Sequence, residues 1–280
     1  MKRIVNYKAF INESSGASTL TAEQINFLNN YVRGKWNLND EGVVDVDGDF
    51  SCSNKGISDF KGIVFGKVDG DFDCSHNNLT SLEGCPKEVG GHFYFHYNNL
   101  TSLEGCPKEV GGNFGCSRNN LTSLEFGPKE VGWDFNCSNN SLTSLEFGPK
   151  KVGGSFDCSR NALTTLEGSP KEVGGRFDCS YNTLLSLKGA PEHIGLSFIS
   201  SEFGIDWHID EWINLLKEGG KHAEFIVDVI PKNELDSFFN QNPMELDLLN
   251  KFPEIKAGVI ERTGIKDFSK IAALKRIGMI

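Results

Sequence analysis

No stretch of the 280-residue chain reaches the roughly 18 uninterrupted apolar residues that a membrane-spanning helix needs, so the sequence holds no candidate span. Basic residues are the minority: Lys and Arg number 28 against 38 Asp and Glu, for a formal net charge of −10. That shortage argues against a nucleic-acid partner held by phosphate neutralisation and favours a partner with a cationic surface. The opening MKRIVNYKAFINESSG lacks the apolar core of about 7–15 residues that marks a secretory signal, so a cytoplasmic location is expected. Signatures of catalysis are missing as well. No Walker loop, HExxH or GxSxG occurs, and neither C-x2-C nor a Cys/His pair at zinc-ligand spacing is present. Residues 204–280 contain no Cys, and His208 and His222 have no evident nucleophile beside them; a base without a partner makes no site. The chain is therefore read as a non-enzyme with no catalytic residue, no metal ligand and no cofactor.

What is present is a repeat. Phe50, Phe72, Phe93, Phe114, Phe135, Phe156, Phe177 and Phe198 are separated by 22 residues once and by 21 thereafter, and a fixed period of this size implies a solenoid. Asn77, Asn98, Asn119, Asn140, Asn161 and Asn182 follow in one phase, and Pro86, Pro107, Pro128, Pro149, Pro170 and Pro191 in another. Six of the eight cysteines (Cys52, Cys74, Cys116, Cys137, Cys158, Cys179) stand two residues after a repeated Phe, and Cys85 and Cys106 share a second phase. Such placement reads as a ladder of buried free thiols, because Cys packs as a small hydrophobe.

Each copy explains itself as one coil. In F-x-C-S the apolar residues alternate with polar ones, the period of a strand with one buried face. Asn leaving the strand can bond backbone groups of neighbouring coils, which predicts a structural asparagine ladder at Asn77, Asn98, Asn119, Asn140, Asn161 and Asn182. Gly-x-Pro and Val-Gly-Gly predict turns and extended chain on the return path, without helix. The Glu series (Glu83, Glu104, Glu125, Glu146, Glu167) and the Lys series (Lys87, Lys108, Lys129, Lys150, Lys171) are expected on that solvated outer path, where ion pairs contribute little.

The wording F-x-C-S-x-N-x-L-T-S-L resembles the L-x-L-x-x-N-x-L core of leucine-rich repeats, with Phe and Cys in place of two leucines. The resemblance covers about Val43 to Phe203. The short coil without a convex helix is similar to the bacterial effector class of these repeats, and LTSLEGxPKEVGG with its GVVDVDGDF lead-in is similar to repeat proteins of large tailed bacteriophages. The resemblance implies short coils with parallel strands and a role in protein binding.

A stack of coils exposes two apolar ends that other segments must cover. Thr21 and Gln24 form a capping box, with Leu20 and Ile25 as a hydrophobic staple, which predicts a helix to about Val32; Trp36, Leu38, Val44 and Val46 are expected to begin the first coils. After Phe203 the period stops, and Ile205, Trp207, Ile209, Trp212, Ile213, Leu215 and Leu216 predict helix. The expected organisation is an N-terminal segment and helical cap at 1–42, a mostly β solenoid of about eight coils at 43–203, and an α-helical C-terminal cap domain at 204–280, which is either a cap alone or a further module.

The coils differ among themselves on the strand surface. One outward phase carries Asp71, His92, Asn113, Asp134, Ser155 and Arg176; the next carries Asp73, Tyr94, Gly115, Asn136, Asp157 and Asp178; a third carries His76, Tyr97, Arg118, Asn139, Arg160 and Tyr181. Coils stacked about 4.8 Å apart bring His76, Tyr97 and Arg118 together. Tyr and Arg are common interface anchors, so His76, His92, Tyr94, His96, Tyr97 and Arg118 are the candidate partner-binding set, against the plainer reading of tolerated polar changes on an exposed sheet. A metal shared by His92 and His96 is disfavoured, since four strand residues separate them by about 13 Å. Phe95 replaces a buried Cys and is read as packing.

Two functions are expected from these features. The first is a non-catalytic module that binds a protein partner, a host protein being one candidate, on the strand face, with neither nucleic acid nor membrane involved. The second is a virion-packaged structural or delivered protein, because Phe10-Ile11-Asn12-Glu13 resembles the targeting peptides of some large-phage head proteins, with cleavage after Glu13.

Overall fold

The computed structural model describes residues 19–184, 189–196, 198–199, 249–253 and 256. The targeting-peptide residues Phe10 to Glu13 and nearly all of the 204–280 helical domain lie outside the described residues.

The chain between Val44 and Ile199 winds into a parallel β-solenoid of about seven turns, each of about 21 residues. The strand β2 (Val44–Ser51) opens it and pairs with the two ladders that follow. One ladder is built from β3 (Phe65–Val68), β5 (Glu88–Val89), β7 (Glu109–Val110), β9 (Glu130–Val131), β11 (Lys151–Val152), β13 (Glu172–Val173) and β15 (His193–Ile194). The other comprises β4 (Phe72–Asp73), β6 (Phe93–Tyr94), β8 (Phe114–Gly115), β10 (Phe135–Asn136), β12 (Phe156–Asp157), β14 (Phe177–Asp178) and β16 (Phe198–Ile199). All of these pairings are parallel, and within the two ladders they are in register, Phe on Phe and Val on Val or Ile, while β2 on β3 carries a register shift between Val44 and Val46. The return path is thus more regular than extended chain: its Glu-Val pairs form a ladder of their own. The expected eight coils correspond to eight Phe positions, which enclose about seven turns.

The break between the two ladders falls at Val-Gly-Gly. A β-carbon at Gly111 would collide with the Gly90 carbonyl of the preceding coil, so this column requires glycine for close approach of backbones. A second bend follows the Phe ladder, where Asn54, His76, Tyr97, Arg118, Asn139, Arg160 and Tyr181 all take left-handed backbone, with φ of 53–58°. Only two of these are Asn, the side chain that tolerates this region best among those present.

Between the bends every coil points Phe, Cys and Leu inward. The six cysteines of the main phase are at most 1% exposed, Cys85 and Cys106 are 7% exposed, and all eight are free thiols. The Phe column stacks nearly parallel in its later coils: Phe114–Phe135, Phe135–Phe156 and Phe156–Phe177 have ring centroids 5.0–5.5 Å apart and tilts of 5–9°, against 24° for Phe50–Phe72 at the first turn. Beside Phe95, a buried ring at a position that holds Cys in the neighbouring coils, the tilts are 24–26°.

The asparagines after the left-handed residues stitch coil to coil. Asn119 Nδ2 donates to the carbonyls of Phe95 (3.1 Å) and Cys116 (3.2 Å), while its Oδ1 accepts the Leu100 N–H (3.0 Å). The same pattern recurs at Asn77, Asn98, Asn140, Asn161 and Asn182, so backbone groups at a tight bend away from water find partners.

At the first turn, helix α1 (Ala22–Tyr31) starts at the Thr21/Gln24 capping box and buries Phe27 and Leu28, with the Phe27 ring 5.9 Å from Phe50. Trp36 and Leu38 depart from expectation. They belong to β1 (Val32–Leu38), which pairs antiparallel with β2 rather than forming a coil. The turn between them is tied by Asn39 Oδ1, which accepts the Glu41 and Val43 N–H groups, a local bond that favours a hairpin over a crossover. β1 thereby covers the outer edge of β2, an edge that would otherwise offer unpaired backbone groups. From the C-terminal segment, Leu249 is buried within the same core and Phe252 packs against it.

Candidate functional site

The face formed by β4 to β14 carries three outward columns, and they differ in what the fold asks of them. In the column beside the Gly-Gly bend, each side chain accepts the backbone N–H of its counterpart in the next coil. Asp71 Oδ1 accepts from His92 (2.8 Å), His92 Nδ1 from Asn113 (2.8 Å), Asn113 Oδ1 from Asp134 (2.9 Å), Asp134 Oδ1 from Ser155 (2.7 Å), and Ser155 Oγ from Arg176 (3.1 Å). A column that looks variable by residue type is uniform by chemistry from Asp71 to Ser155, each of these members supplying an acceptor, and it ends at Arg176, which has none. His92 is therefore a rung of a second ladder, and its accepting Nδ1 places the ring proton on Nε2.

The middle column mostly holds acceptors that fold back on their own coil. Asp73, Asn136, Asp157 and Asp178 accept the N–H of Ser75, Ser138, Ser159 and Ser180 two residues on, tying the strand end before the bend. Tyr94 and Gly115 break that pattern. Tyr94 lies across Gly115, where a β-carbon would meet the Tyr94 ring at 2.8 Å, and its hydroxyl accepts Asn113 Nδ2–H at 2.9 Å. His96 occupies the position that Ser takes in the other coils and is half-buried. Burial depresses its pKa below the ordinary imidazole value; the Asp73 charge opposes that shift and His76 adds to it.

The third column lies on the left-handed bend. His76 stacks on Tyr97, with centroids 4.2 Å apart and a 16° tilt, and the Arg118 guanidinium covers the other part of the row, 4.7 Å from the Tyr97 centroid. Further along, Arg160 sits 4.0 Å from the Tyr181 centroid.

Together these side chains form one connected surface. Trp133 meets His92 (5.5 Å), His92 stacks on Tyr94 (5.3 Å), Tyr94 meets His96 (5.8 Å), and His96 meets both His76 (5.4 Å) and Tyr97 (5.9 Å). The structure brings all six sequence-identified residues into this network. It adds Trp133, which is 60% exposed and which sequence reasoning passed over; the signal was a Trp in place of the second Gly of Val-Gly-Gly. Phe126 and Phe147 are also exposed, at 43% and 51%, with left-handed backbone, where neighbouring coils use Gly84, Gly105, Gly168 and Gly189. They lie on the bend before the Glu-Val ladder and do not join the network.

Among the described residues no group of three or more His, Cys, Asp or Glu is placed to hold a metal ion, and no helix is long and apolar enough to cross a membrane. A depression at the first coil, lined by Asn30, Tyr31, Arg33, Ser51, Ser53 and Lys55, has neither an imidazole nor a carboxylate in its lining. Comparison of the chain with protein-family models, curated proteins and solved structures finds no match.

Proposed function

We propose that this chain is a non-catalytic, leucine-rich-repeat-like interaction module that grips a protein partner on the face of β4 to β14, acting in the cytoplasm. The observation that supports this reading is the connected surface running from Trp133 through Tyr94 and His96 to Tyr97 and Arg118. The fold uses most outward residues of the first two columns as backbone acceptors, and these five side chains are outside that set. Large rigid aromatic groups and an arginine on a preformed solenoid give contact area at little cost in ordering. The wording of the repeats supports a phage-encoded origin and hence a partner from the infected cell.

The test is affinity capture with the full chain against the triple variant Tyr94→Ser/Tyr97→Ser/Trp133→Ser. The expected result is loss of the captured partner with a melting temperature within a few degrees of the parent, because these side chains are at the surface. Capture unchanged by the triple variant rejects this face. The N-terminal series Phe10-Ile11-Asn12-Glu13 supports a second reading, packaging into a virion; intact-mass analysis of purified virions should then show a species beginning at Ser14, and absence from virions removes it.

A further inference from the structure

The left-handed bend carries a row of side chains that neither the local backbone nor the core demands. Asn would serve at each position, as at Asn54 and Asn139; the chain instead places His76, Tyr97, Arg118, Arg160 and Tyr181 there, at a cost on the order of 1 kcal/mol for each non-Gly, non-Asn residue. Strain repeated at five positions of one row is an outlier from which a role can be argued.

The chemistry of the row is specific. Arg118 and Arg160 are exposed and lie on the faces of Tyr97 and Tyr181. The ion pairs among the described residues are Lys61–Asp59, Lys67–Asp69, Lys151–Glu172 and Lys171–Glu192, so neither arginine has a carboxylate partner among the described residues. The nearest aspartates by position, Asp157 and Asp178, are turned to the N–H groups of Ser159 and Ser180. On the other flank, the stretch from Asn119 to Leu124 and its counterparts from Asn140 to Leu145 and Asn161 to Leu166 contain no charged residue. A chain of net charge −10 thus presents, along one bend, guanidinium groups pre-oriented by stacking whose N–H forks have no carboxylate among the described residues, the arrangement that suits bidentate carboxylate recognition.

We infer that the row His76–Tyr97–Arg118–Asn139–Arg160–Tyr181 seats an extended acidic segment of the protein partner, with one carboxylate on Arg118 and a second on Arg160. The two arginines are two coils apart, roughly 10 Å at about 4.8 Å per coil, which matches three residues of chain in the extended polyproline-II form, at about 3.1 Å each and with every third side chain on the same face. The partner's carboxylates should therefore recur at every third residue. The global negative charge favours a cationic partner, and this row is where that preference is locally reversed. The inference rests on the reading that this side of the solenoid contacts a protein.

The test uses the full chain and three fluorescein-labelled probes at low ionic strength: a twelve-residue (Glu-Ser-Ser) repeat, the matching (Gln-Ser-Ser) repeat, and a dT12 oligonucleotide, each followed by anisotropy. The inference expects saturable binding of the Glu peptide, at least tenfold weaker binding of the Gln peptide and of dT12, and at least a tenfold loss for Arg118→Gln/Arg160→Gln with an unchanged circular-dichroism spectrum. No saturable binding of the Glu peptide, equal binding of the Gln peptide or of dT12, or indifference to the double variant would overturn it. Partner capture that survives Arg118→Gln/Arg160→Gln but is lost in the Tyr94/Tyr97/Trp133 variant would retain the strand face and reject the acidic segment, so the two readings fail separately.

Discussion

Raising the pH should unfold this protein through its cysteines. All eight thiols have pKa values pushed upward, with burial as the first cause; Cys52 and Cys106 reach about 12 and the others are raised as well. A thiol with a folded pKa above its unfolded value near 9.0 keeps its proton in the native state while the unfolded chain releases it. Stability is then fully present below pH 9 and is lost as the pH rises from there toward the folded values. At pH 10 each thiol costs about 1.4 kcal/mol, and eight together cost roughly 11 kcal/mol, a sum that falls within the total stability of an ordinary domain, about 5–15 kcal/mol. Urea unfolding followed by far-ultraviolet circular dichroism, in reductant and at intervals from pH 8 to 10.5, reads this directly. Above pH 9 the slope should approach about 11 kcal/mol per pH unit, and removing three groups with Cys116→Ala/Cys137→Ala/Cys158→Ala should reduce it to about 7. The variant loses packing at neutral pH, which shifts the curve but leaves the comparison of slopes intact. A slope near zero, or one unaltered by the triple substitution, would refute a ladder of buried neutral thiols.

Three further outcomes follow, two from the coil-to-coil bonds and one from the burial of His96. Asn119→Ala removes the acceptor of the Leu100 N–H and the donor to Phe95 and Cys116, and should lower stability by about 2–4 kcal/mol in urea titration, since buried groups are left unpaired. His92→Ala should cost about 1 kcal/mol by loss of the Asn113 N–H bond, whereas His92→Asn, which keeps an acceptor as Asn113 does one coil on, should be nearly neutral; equal losses in both would reject the second ladder. His96 disfavours its proton in the folded state because of burial, so the unfolded chain binds protons first. Stability should be full above the ordinary imidazole value of 6.5 and fall as the pH drops below it, and thermal melts of His96→Ser should lack that component.

The period, the inward Phe, Cys and Leu, and the bonding capacity of the asparagines were legible in the sequence because each depends on one residue type recurring at one phase. Other features depend on properties that residue names conceal. The acceptor column of Asp71, His92, Asn113, Asp134 and Ser155 looks like free surface variation until its atoms are seen to do one job. That column gives His92 a structural bond to the Asn113 N–H beside its place in the candidate surface, where its ring contacts Trp133. The pairing of Trp36 and Leu38 in a hairpin was hidden because an apolar alternation does not state the direction of its partner strand. The left-handed bend was hidden at His76, Tyr97 and Arg118 for the opposite reason: those residue types rarely adopt it, and the conformation is imposed by the coil.

The central claim concerns which face meets the partner, and site-specific photo-crosslinking tests it most directly. With p-benzoylphenylalanine in place of Tyr94, irradiation of the full chain bound to its captured partner should join the two, while the same group in place of the exposed Glu125 should give no adduct. Crosslinking from position 125 with none from position 94 would contradict the account and place the partner on the other side of the solenoid.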